Sequence, residues 1–152
     1  MSAEVSLSAI DIAAYFVELA SDIDENDLTN LKLQKLLYFA QGKYLSKYNA
    51  PLFKEEIEAW FLGPVVREVY EEYKECGSFP ITVFDKKVKY TKNIPTEIKN
   101  FLKGIWKEYG KFSASHLVSL THSGRSAWYK ASKGKGDFSV ISKELLKNSF
   151  EK

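Results

Sequence analysis

TNLKLQKLLYFAQGKYL (residues 29–45), followed by EAWFLGPVVREVYEEY (residues 58–73), decides the fold. In the first run Leu33, Leu36, Leu37, Ala40, Tyr44 and Tyr48 recur at helical spacings and so share one face of a long helix. Thr29 or Asn30 suits its start, because a short side-chain oxygen accepts from the free N–H groups of a first turn. Pro51 ends it, having no donor to continue the ladder. In the second run residues 58–62 read as extended or irregular. Gly63-Pro64-Val65 then opens a second helix, with Pro64 at a first helical position where a missing N–H costs nothing. That helix turns Val66, Val69, Tyr70 and Tyr73 inward and its glutamates outward, and Gly77 stops it.

Outward from this pair, residues 8–20 form an apolar helix capped by Ser6 or Ser8. Gly42 lies inside the long helix, where it costs about 1 kcal/mol against alanine. It permits the close approach of Trp60 or another ring. Residues 81–84 and 88–91 alternate in the manner of strands and predict a small hairpin or irregular arm. Helices follow over residues 97–109 and 114–121, the second capped by Ser113, and a last one runs from about 141 to Phe150. Between them KASKGKGD (residues 130–137) reads as a basic, glycine-containing loop. The sum is a mainly α, α-rich α+β architecture. It is a single compact domain over residues 1–152, with five or six helices and a small β hairpin or short strands.

Composition removes several classes of function. The chain has 152 residues, enough for one core without staples. A net charge of +2 is too small to argue for nucleic acid by itself. The charge is unevenly spread: residues 28–54 hold five lysines and no acid, whereas residues 55–75 are rich in glutamate. The single cysteine, Cys76, cannot form an internal disulfide, which suits a reducing compartment. The first twenty residues carry Glu4, Asp11 and Glu18 and no basic start, so they are not a signal peptide. No apolar run reaches the roughly 20 residues of a membrane helix. The expected location is cytoplasmic, without membrane attachment. His116 and His122 stand six apart, on different helix faces, and supply no metal site. Neither Cys76 nor Ser123 sits in a nucleophile motif, and Gly134-Lys135-Gly136 lacks the spacing of a phosphate loop. No enzyme and no cofactor are expected.

Leu31-Lys32-Leu33-Gln34-Lys35-Leu36-Leu37-Tyr38, Pro51-Leu52-Phe53, Glu58-Ala59-Trp60 and Gly63-Pro64-Val65 together resemble the Panacea domain, also called the SocA-like antitoxin domain. Leu120-Thr121-His122 and Trp128 extend the resemblance to nearly the whole chain. Ala127 stands where that family usually has proline before the tryptophan, and Gly124 and Arg125 replace a frequent acidic residue.

The resemblance implies an antitoxin of a kind common in prophages and bacterial toxin–antitoxin loci. It would neutralise a cognate toxin, encoded nearby, by direct protein–protein binding. On this reading the motif positions exposed on the long helix and its neighbour form the partner-binding face: Lys32, Gln34, Lys35, Tyr38, Gln41 and Arg67. Trp60, Gly63, Pro64, Val65, His122 and Trp128 hold that face in place, with Trp60 in the core. Apart from the family, Gln34 and Gln41 read as half-exposed flank residues. Two alternatives stay open. One is a proteolytic adaptor that brings a partner to a protease. The other is a DNA-binding autoregulator, because residues 97–121 have helix-turn-helix proportions. In that case Ser115, His116, Ser119 and Thr121 face base edges, and Lys111, Arg125, Lys130, Lys133 and Lys135 meet phosphates.

Overall fold

A computed structural model describes residues 7–86 and 91–151. In chain order the elements are α1 (Ala9–Ser21), α2 (Asn30–Tyr48), β1 (Ile57–Trp60), β2 (Gly63–Val65), α3 (Arg67–Tyr73), α4 (Thr96–Tyr109), α5 (Ala114–Thr121), α6 (Ala127–Ser132), β3 (Ser139–Ile141) and α7 (Lys143–Phe150). A single 3-10 turn, Lys74–Cys76, follows α3. The fold is mainly α with a small antiparallel sheet, as the sequence implies. The described residues hold seven helices, where five or six were expected.

Helix α2 is the axis of the molecule. It packs against α7, α5, β2, α4, α1 and α3. Thr29 caps it by accepting from the amide of Lys32, and Asn49 closes it in a left-handed conformation that asparagine tolerates. Leu33, Leu36, Leu37 and Ala40 are buried as the periodicity predicts, but Tyr48 at the far end is half exposed. Helix α1 lays a nearly all-apolar surface on α2 and α4, and its start is a capping box between Ser8 and Asp11. Gly42 admits the ring of Phe150 from α7; a Cβ there would lie inside that ring's contact envelope.

Strand β1 is central in the order β2-β1-β3, and both pairings are antiparallel. Ile57, Ala59 and Ile141 turn into the core, while Glu58, Trp60 and Val140 lie on the outer face. Three expectations are corrected here. Pro64 does not begin a helix: it lies in β2, and α3 starts at Arg67 after Val66. The β element is more than a small local hairpin, because its third strand comes from residues 139–141. Residues 81–85 are not a strand but a turn, in which Asp85 accepts from the amide and hydroxyl of Thr82. The other half of the expected hairpin, residues 88–90, lies outside the described residues. No helix among the described residues is long and apolar enough to cross a membrane.

Candidate functional site

The polar residues of the α2 motif are buried, contrary to the expectation that they are exposed. Lys32, Gln34, Lys35, Tyr38 and Gln41 all lie in the interior. Each is bonded to a backbone group of another segment of the chain. Gln41 accepts from the amides of Leu52 and Phe53 and donates to the Phe53 carbonyl. Gln34 accepts from the Val66 amide at 2.8 Å and donates to Asn30, which donates in turn to the Tyr70 carbonyl. Lys32 donates to the Gly110 carbonyl and pairs with Asp27, both at 2.7 Å. The Tyr38 hydroxyl accepts from the Ala127 amide. Buried backbone groups must be paired, and α2 pairs them for four separate segments. Gln34 and Gln41 are therefore not flank residues.

Lys35 is the extreme case. Its side chain is closed off from solvent, it donates to the Pro64 carbonyl at 3.1 Å, and no ion pair among the described residues includes it. Burial pulls its pKa down to about 7. Gly63 explains the fit: its φ is +115°, and a Cβ would stand 2.7 Å from Lys35 Cε and 2.9 Å from the Thr121 hydroxyl. His122 sits nearby, its ring tilted against that of Trp128 with centroids 4.0 Å apart. Burial lowers its pKa, and the Lys35 charge lowers it further against the Phe61 carbonyl. The Trp128 indole donates to the Trp60 carbonyl at 2.7 Å. These buried groups lock the β1–β2 hairpin onto α2, α5 and α6.

The locked hairpin presents an aromatic outer face. Trp60 is flanked by Tyr70 at 5.0 Å and by Phe138 at 5.2 Å. Arg67 lies over the Trp60 ring and donates two bonds to Glu58, and the Trp60 indole donates to the same carboxylate. Partial burial works to raise the Glu58 carboxyl, but these bonds and the guanidinium charge hold it below the usual range. Beside the row Phe61 is 76% exposed and Phe138 56%. Trp60 is thus not a core residue. It is half buried on this face, and Arg67 is exposed next to it.

Similarity to known proteins extends over most of the chain. The family model described as Antitoxin SocA-like, Panacea domain, matches residues 33–129. The chain belongs to this family. Antitoxin SocA of Caulobacter vibrioides (strain NA1000 / CB15N) is similar to it, with 32% identity over 143 residues that cover 86% of this chain and 73% of the relative. No solved structure matches. In this Panacea domain the predicted structural residues Gly63, Pro64, Val65, His122 and Trp128 come together around Lys35 and the hairpin turn. Of the six predicted partner-binding residues, Arg67 alone is exposed. Tyr70, expected to turn inward, is only half buried and flanks Trp60 on this outer face, and Phe61, Phe138 and Val140, which the sequence does not single out, complete the surroundings. An aromatic cluster on both sides of β1 was the available signal, but Phe138 reaches it only through a strand pairing with no local signature. For the DNA-binding alternative, Ser115, His116 and Ser119 are exposed on α5, whereas Thr121 is fully buried and cannot reach a base.

Proposed function

We propose that this chain is an antitoxin that neutralises a toxin encoded beside it by direct protein–protein contact, without chemistry of its own. Membership of the SocA-like antitoxin family carries this reading. The relative named Antitoxin SocA, similar over most of both chains, supports it, and the same kinship supports a regulatory rather than catalytic role. The outer face of the sheet supports the contact mode, because exposed aromatic side chains ringed by charge are the usual anchors of protein interfaces. The motif residues of α2 act from below, by holding that face in one shape. Expression of the adjacent gene's product, alone and together with this chain, tests the reading. Toxicity that co-expression relieves, with a stable complex of the two proteins, is the expected result. A toxic neighbour that this chain binds but does not relieve, or does not bind at all, refutes it.

A further inference from the structure

We infer that the toxin engages the outer face of the sheet with an acidic segment, its apolar side chains on the row Tyr70–Trp60–Phe138 and its carboxylates on the cationic α6 flank. This rests on the antitoxin reading and names the surface and the chemistry of the partner.

The backbone at Phe138 is the first support. Its φ is +68°, a conformation in which glycine or asparagine is at ease and a bulky side chain is strained. Local structure holds it there: the Phe138 amide donates to the Ala59 carbonyl at 2.7 Å. Gly136 lets the loop close on the hairpin, since a Cβ would stand 2.6 Å from Phe61 Cα. The ring so placed is more than half exposed. A strained position that displays an aromatic ring to solvent serves contact better than it serves the core. Phe61 and Val140, both exposed, widen the apolar area.

Charge decides the partner. Arg125, Lys130, Lys133 and Lys135 are all exposed on α6 and its flanking turns. Lys135 directly precedes Gly136, which touches the Phe61 backbone. The carboxylate of this segment, Asp137, is engaged by the Ser139 hydroxyl and amide. The α3 side of the same row carries exposed Glu68 and Glu71 beyond Glu58. Aromatic rings beside lysines also fit single-stranded nucleic acid, but a phosphate chain along this row would run into those glutamates. A protein segment, acidic toward α6 and neutral or basic toward α3, meets both ends.

The test uses the adjacent gene's product as the probe. Lys130 and Lys135 have ordinary backbone conformations, so Lys130→Glu with Lys135→Glu cancels the positive charge of the flank without a backbone cost. The double variant is expected to weaken the complex about tenfold or more, chiefly by slower association, and to flatten its salt dependence. Phe138→Asn is expected to weaken the complex while the melting temperature stays level or rises. A merely structural Phe138 would instead lose stability on this change. If the parent chain relieves toxicity and both variants bind as it does, the surface lies elsewhere and the antitoxin reading stands. If the parent chain relieves nothing, both fall. Binding of a single-stranded oligonucleotide that the Lys130→Glu, Lys135→Glu pair abolishes, with toxin binding intact, also overturns the assignment.

Discussion

The ammonium of Lys35 lies 3.1 Å from the carbonyl oxygen of Pro64, in a site closed to solvent and without a carboxylate partner among the described residues. Its folded pKa of about 7 compares with roughly 10.4 for a free lysine. Between those values the unfolded chain holds a proton that the folded chain has released. Stability therefore rises with pH from about 7 toward 10, by at most about 1.4 kcal/mol per pH unit from this group. Below pH 7 both states are protonated and the burial penalty is fully present. Lys35→Met removes the titration. Urea unfolding of parent and variant at pH 7, 8 and 9 should show their stability difference moving in favour of the parent as pH rises. A difference independent of pH would place the Lys35 charge in solvent.

Gln41 lies on the same helix and needs no charge. It accepts from two amides and donates to one carbonyl, all on Leu52 and Phe53. Gln41→Met keeps the volume but strands those groups in the interior. Each buried unpaired group costs roughly 1–3 kcal/mol, so a loss of about 2–4 kcal/mol in urea unfolding is expected. A loss under about 1 kcal/mol would show that water reaches the 51–53 turn.

The apolar spacing on α2, its Thr29 cap and the mainly α class were legible because they are local properties of the chain. The burial of Lys32, Gln34, Lys35 and Gln41 was not. Lysine and glutamine are almost always placed outside by residue type, and what overrides type here is backbone far along the chain at residues 52–53, 64, 66 and 110. One sign was available: from Asn30 to Gly42 polar and apolar residues are spread around the helix, leaving no clean solvent stripe. Strand β3 was illegible for a related reason. It is three residues long and pairs with β1 across about eighty residues, while the lysines and glycines before it read as a loop. Helix α6, only six residues long, disappeared into the same stretch. The candidate face thus escaped the sequence wherever it depended on that pairing, and Arg67 was legible because it neighbours the motif.

A glycine inside α2 marks a point of close approach, and at Gly42 the ring that approaches is Phe150. That ring also meets Tyr38 and Phe39 edge-on. In an exposed helix Gly→Ala gains about 1 kcal/mol. Here the methyl group displaces the ring and loosens α7, at about 1–3 kcal/mol. Gly42→Ala should therefore destabilise the parent chain yet stabilise a Phe150→Ala background. Thermal or urea unfolding of the four proteins gives the coupling. Equal effects in both backgrounds would mean that Phe150 does not pack there.

Two tryptophans separate the scaffold from the surface. Trp128 is 4% exposed, packs against the His122 ring and donates to the Trp60 carbonyl. Its replacement by alanine removes core volume and the bond that ties α6 to the hairpin, so a loss of about 3–5 kcal/mol is expected. Trp60 is half buried, with Arg67 and Tyr70 on its faces and water beyond. Its replacement should cost about 1–2 kcal/mol, the range for partly exposed side chains. The order reverses for binding. Measured on folded protein with the adjacent gene's product, Trp60→Ala should lower affinity more than tenfold, as loss of an interface anchor does. Trp128→Ala should act only through the fraction of chain it unfolds, and a moderate concentration of a stabilising osmolyte should restore it. Loss of binding by Trp60→Ala in step with loss of fold would return Trp60 to the core and remove the sheet face from consideration.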